Sequence, residues 1–128
     1  MNRTEEASEA FRDCLQVLER YLELHPDDTR AASLGSGCLC GLGDHARALE
    51  WTVRALSMDP EEPAILYNVA CSYALLNRPD KSVDCLEKAF RQGFGHKEWI
   101  QNDPDLSLVR DHPRFRALMQ RLSADRST

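Results

Sequence analysis

PAILYNVACSYALLNRPDKSVDCLEKAFRQGF, residues Pro63 to Phe94, reads as two amphipathic helices joined by a short turn at Asn77-Arg78-Pro79-Asp80. In the first helix Ile65, Val69 and Leu76 fall on one face, with Ala70 and Tyr73 beside them. In the second, Val83, Leu86 and Phe90 recur at i, i+3 and i+7. Asp80, Lys81, Asp84, Glu87, Lys88 and Arg91 take the opposite side, where Asp84–Lys88 and Glu87–Arg91 have the spacing of i,i+4 ion pairs. One helical hairpin cannot bury both of its apolar stripes. The stretch therefore predicts neighbours built the same way.

Shifting the chain against itself by 34 residues finds them. Gly43 falls on Asn77, Leu42 on Leu76, Leu49 on Val83, and Arg54-Ala55-Leu56 on Lys88-Ala89-Phe90. Upstream, Leu15 falls on Leu49, Leu22 on Leu56, Pro26 on Pro60, and Asp27-Asp28 on Glu61-Glu62. Helix–turn–helix units at this period, with a proline closing each second helix, resemble the tetratricopeptide repeat family. Small residues at the crossing points (Ala48, Ala55, Ala70, Ala89), Gly43 at the turn and the Asp59-Pro60 ending carry the resemblance. The chain departs from it at Gly35-Ser36, where a larger-then-small pair is usual, and at Ser82, which replaces an alanine. The Asp-Pro ending also becomes Gly93-Phe94 in the last repeat. The resemblance covers Phe11 to Phe94. It implies an all-α, antiparallel helix-turn-helix solenoid: a half repeat at 4–25, repeats at 29–62 and 63–94, capping helices at 95–123 and a tail at 124–128. Such a fold specifies a scaffold and not a reaction.

A chain of 128 residues is long enough for one continuous core. Its 42% hydrophobic and 29% charged content is that of a globular protein. A net charge of −5 speaks against a nucleic-acid partner, because a phosphate-binding surface needs a basic excess. No apolar run reaches the roughly 18 residues that cross a bilayer, and the polar N-terminus is no signal peptide. Five cysteines, an odd number at core-like helical positions, predict reduced thiols and a cytoplasmic setting rather than a disulfide framework.

The N-terminal helix carries two apolar stripes: Phe11, Leu15, Leu18 and Leu22, and beside them Cys14, Val17, Tyr21 and Leu24. In the repeat register it is a second helix without its first. One stripe is thus left without its usual cover, which makes Phe11, Cys14, Val17 and Tyr21 candidates for self-association as a homodimer. The next helix, Arg30 to about Leu42, holds Gly35, Gly37 and Gly41. Together these cost about 3 kcal/mol of intrinsic helix stability, which packing must supply. Either they let neighbouring helices approach closely, or they line a groove for a partner's backbone.

Past Gly93 the repeat dissolves, but Asp103-Pro104 and Asp111-His112-Pro113 read as helix starts. Trp99, Asp103-Pro104-Asp105-Leu106, Arg110 and Pro113-Arg114-Phe115 resemble the tail that closes tetratricopeptide arrays in large bacterial signalling proteins. In those proteins the array is a regulatory segment and catalysis lies elsewhere.

Residues that invite chemistry have plainer roles. Cys38 and Cys40 point about 200° apart on a helix and cannot share one zinc. His25, His45, His96 and His112 lie at helix ends or turns, with no i,i+4 pair. Asp103, Asp105 and Asp111 are accounted for mainly as caps. No catalytic residue, metal site or cofactor is therefore assigned. If the array binds a peptide, the 3.6-residue period turns Arg30, Ser33, Gly37 and Cys40 of one repeat towards the groove. Ala64, Tyr67, Asn68 and Cys71 face it from the next. Asn68 matches the asparagine with which tetratricopeptide domains hold a partner's backbone. The lysines of the clamp that binds chaperone C-termini have no counterparts on these faces. The expected function is protein–protein interaction as a module of a larger bacterial regulator, with structural homodimerisation through the N-terminal helix as the alternative.

Overall fold

Seven α-helices and one 3-10 helix follow one another in the computed structural model, which describes residues 3–94 and 97–126. They are α1 (Arg3–Leu24), α2 (Thr29–Gly41), α3 (His45–Met58), α4 (Pro63–Leu75), α5 (Pro79–Arg91), α6 (Lys97–Asn102), the 3-10 helix (Pro104–Val109) and α7 (Pro113–Arg126). The fold is an all-α stack of antiparallel helical pairs. Short polar side chains and prolines set the starts. Asp28 accepts a hydrogen bond from the Ala31 amide and Glu62 from that of Ile65, while Pro63 and Pro79 occupy first turns whose amides need no partner. The two inter-helix turns need a left-handed residue at the same point of the repeat, and Gly43 (φ 79°) and Asn77 (φ 58°) provide it 34 positions apart.

Helix starts keep that period further than the apolar pattern suggests. First helices begin at Thr29 and Pro63, second helices at His45, Pro79 and Pro113. The segment expected to be a cap keeps that register at Pro113, and its earlier helical stretch is broken between α6 and the 3-10 helix. Pro104 is the cause: it has no amide proton to donate, and it disfavours the helical conformation at Asp103. The chain accordingly leaves α6 at Asn102 and resumes as a 3-10 turn. At the C-terminus α7 runs to Arg126, past residue 123, where the capping helices were expected to end.

Packing makes up for the glycines of α2, which lies against α1, α3 and α4 and buries Ala31, Ala32, Ser33, Gly35, Ser36, Cys38 and Leu39. An added methyl group at Gly35 would stand under 3.0 Å from the Trp51 ring, and one at Gly41 would meet the ring of Phe11. Gly37 has nothing within 4 Å of such a methyl group. The two explanations for the glycines thus divide by position: 35 and 41 admit aromatic rings, and 37 borders open space.

The serines that break the family pattern are also satisfied. Ser36 Oγ lies 2.8 Å from Ser72 Oγ, linking α2 to α4, and Ser82 Oγ donates to the Ala70 carbonyl at 2.7 Å. One core cluster gathers Leu15, Cys38, Leu39 and Ala48. The larger cluster runs from Leu66, Val69, Val83 and Leu86 to Ile100, Leu106, Val109 and Leu118.

The surface charges of α5 differ from the expected i,i+4 pairs. Asp84 and Glu87 both bind Arg114 of α7, the former at 2.5 Å, and Lys88 binds Glu61 at 3.1 Å. These acidic and basic groups fasten neighbouring units rather than one helix, because a guanidinium from the next unit reaches two carboxylates at once.

Candidate partner-binding groove

A groove of about 400 Å³ opens between α2, α4 and the 3-10 helix. Six of the eight residues that the helical period turns inwards line it: Ser33, Gly37 and Cys40 from α2, and Tyr67, Asn68 and Cys71 from α4. Arg30 and Ala64, each at the second position of its helix, do not; both are exposed outside the lining. The groove's polar wall is internally bonded. Ser33 Oγ donates to the Arg30 carbonyl at 2.9 Å, and the Asn68 amide reaches Ser33 Oγ at 3.4 Å. Leu34 and Leu75 supply half-exposed apolar walls, 46% and 36% accessible.

Asp103 and Asp105, which the sequence explains mainly as caps, close the third side. Asp103 does cap the 3-10 helix, accepting from the Asp105 amide at 2.9 Å. Its other oxygen accepts from Tyr67 Oη at 2.5 Å and from the Cys71 thiol at 3.6 Å. Burial, and next the neighbouring Asp103 charge, raise the Asp105 carboxyl above its usual range. Burial also pushes the Cys71 thiol up, helped by both carboxylates, and lifts the Cys40 thiol to about 11. Cys71, Asp103 and Asp105 bring three potential ligand atoms within 4.8 Å of one another, but Asp103 is already held by two protein donors. A signal for this third wall existed: Gly37, Cys71 and Asp105 follow one another at the 34-residue period.

Other singled-out residues lie away from the groove or on its edge. Cys38 is buried beside Cys14 on the α1 side, and Cys40 points towards the Ser72 carbonyl, 3.9 Å away. His112 sits 2.8 Å from Asp80, and Asp111 pairs with Arg116 at 3.1 Å. His25 packs on the Tyr21 ring at 4.4 Å, while His96 lies outside the described residues. On α1 the expected bare stripe is exposed: Val17 is 67%, Tyr21 42% and Leu24 80% accessible. Cys14 is exposed with them, whereas Phe11 is half-buried against Gly41.

Residues 63–91, the α4–α5 hairpin at the centre of this geometry, match the family model described as tetratricopeptide repeat. This hairpin is a tetratricopeptide repeat. Among curated proteins it is similar to a chloroplastic protein of Arabidopsis thaliana, with 35% identity over 81 residues. That alignment takes in 61% of this chain and 24% of the plant protein, so the chain matches about a quarter of its relative's length. No helix among the described residues is long and apolar enough to cross a membrane.

Proposed function

We propose that this chain is a non-catalytic interaction module that holds an extended peptide or a partner helix in the groove between α2, α4 and the 3-10 helix. The observation that supports the reading most is the open space over Gly37, bordered by Leu34 and Leu75 and faced by Asn68. Apolar walls with a few convergent polar groups are what a bound segment needs for affinity and orientation. The covered share of the curated relative supports a module of a larger protein. A bacterial regulatory setting rests on the resemblance of the Trp99 to Phe115 tail. Five cysteines without a disulfide support a reducing, cytoplasmic environment, and the net charge of −5 disfavours nucleic acid as the partner.

The test is selection of peptides from a random display library on the immobilised protein, followed by binding to two variants. Gly37→Trp fills the groove without meeting a neighbour near Cβ, and Val17→Glu alters the exposed α1 stripe instead. Selected peptides are expected to lose at least tenfold in affinity for Gly37→Trp and nothing for Val17→Glu. A library that yields no binder, or binders held equally well by Gly37→Trp, overturns the reading.

A further inference from the structure

The two ends of the stack complement one another. At one end α1 presents Val17, Tyr21 and Leu24, spaced i, i+4 and i+7, on a helix that carries six acidic residues against three arginines. At the other end a cleft of about 540 Å³ runs between α6 and α7. Phe115 and Met119 form its apolar floor, and Lys97, Arg110 and Arg116 stand on its rim. Among the described residues, these three cations bond the Ser123 hydroxyl, two backbone carbonyls and one carboxylate, Asp111.

We propose that this chain associates head to tail, with α1 of one copy seated in the α6–α7 cleft of the next. The 34-residue register reaches Pro113, so the α6–α7 end is a cross-section of the same periodic stack that α1 opens. A further antiparallel helix is the natural continuation of such a stack. Charge selects which helix. An acidic amphipathic helix fits a basic-rimmed apolar cleft, whereas α1 laid on a second α1 sets six carboxylates against six. The contact joins two different surfaces, so it is heterologous and leaves a free end on each copy. This differs from the symmetric homodimer through α1, in which the α6–α7 end plays no part.

Sedimentation of the whole chain over micromolar to millimolar concentration, at low and high salt, reads the association directly. The weight-average mass is expected to climb past twice the 14.6 kDa monomer with concentration and to fall back at high salt. Two exposed substitutions block one end each: Val17→Glu on α1 and Arg116→Glu on the cleft rim. Each variant alone is expected to stay at the monomer mass. Their equimolar mixture should form a complex of twice that mass and no larger, because one intact α1 meets one intact cleft. Circular dichroism melts check that both variants fold, and Leu24→Glu with Lys97→Glu repeats the cross with a second pair. A wild-type monomer throughout the range overturns the proposal. So does Arg116→Glu that still dimerises alone, which would signal symmetric α1 pairing, or a mixture that remains monomeric.

Discussion

Gly35 and Gly37 stand two positions apart in one helix, and replacing each by alanine should change stability with opposite sign. In an unconstrained helix either substitution gains about 1 kcal/mol, because alanine loses less backbone entropy than glycine. At Gly37 the new methyl group meets nothing within 4 Å, so the gain survives. At Gly35 it would stand under 3.0 Å from Cε3 and Cζ3 of Trp51. Carbon atoms in contact sit about 3.5–4.0 Å apart, so the indole must retreat by roughly 1.5 Å. The Arg47 guanidinium lies over the Trp51 ring, 5.9 Å from its centroid. Forcing such a ring outwards costs about 1–3 kcal/mol, which exceeds the helix gain. Gly35→Ala is therefore expected to destabilise by about 1 kcal/mol and Gly37→Ala to stabilise by about 1 kcal/mol. For a domain of this size that separates the two melting temperatures by about 8 °C. Urea unfolding followed by far-UV circular dichroism measures the difference, and near-UV dichroism reports the displaced indole in Gly35→Ala alone. Stabilisation by both substitutions, or an unchanged indole signal, would refute the close approach of α2 and α3 at Gly35.

Asp103→Ala removes both a helix cap and the partner of the Tyr67 hydroxyl. It should cost about 2 kcal/mol in denaturant unfolding, and a loss below about 0.5 kcal/mol would contradict the bonding described. Burial and Asp103 raise the Asp105 carboxyl, so the folded state holds that proton more tightly than the unfolded chain. The associated stability is fully present at acidic pH and is lost as pH rises through the raised value. Asp105→Asn should therefore melt above the wild type at neutral pH, with the gap closing below the ordinary aspartate range; a gap that widens on acidification has the wrong sign. Cys14 is exposed, whereas burial lifts Cys38 to about 12 and Cys40 and Cys85 to about 11, and raises Cys71 as well. A disulfide reagent at mildly alkaline pH should modify one thiol quickly and the other four only as the protein unfolds. Two or more fast thiols would disprove this assignment.

Local physics made much of the scaffold legible from residues alone. Apolar spacing in the Pro63 to Phe94 hairpin, carboxylates ahead of α2 and α4, and Gly43 and Asn77 at equivalent turns each act within a few positions of the chain. Together they set where helices begin, how they reverse and which stripe each one buries. Which side chains meet across units was decided by the tertiary structure, because periodicity describes one face of a helix and says nothing of what arrives opposite it. Arg114 draws Asp84 and Glu87 away from their own helix. Trp51 and Phe11 fill the spaces left by Gly35 and Gly41, and the break at Pro104 swings Asp103 to the Tyr67 hydroxyl, 36 positions earlier in the chain. The first-helix stripes of α2 and α4 were written in the sequence, but the acidic third wall of the groove exists only because a broken helix still packs at the period of the intact ones.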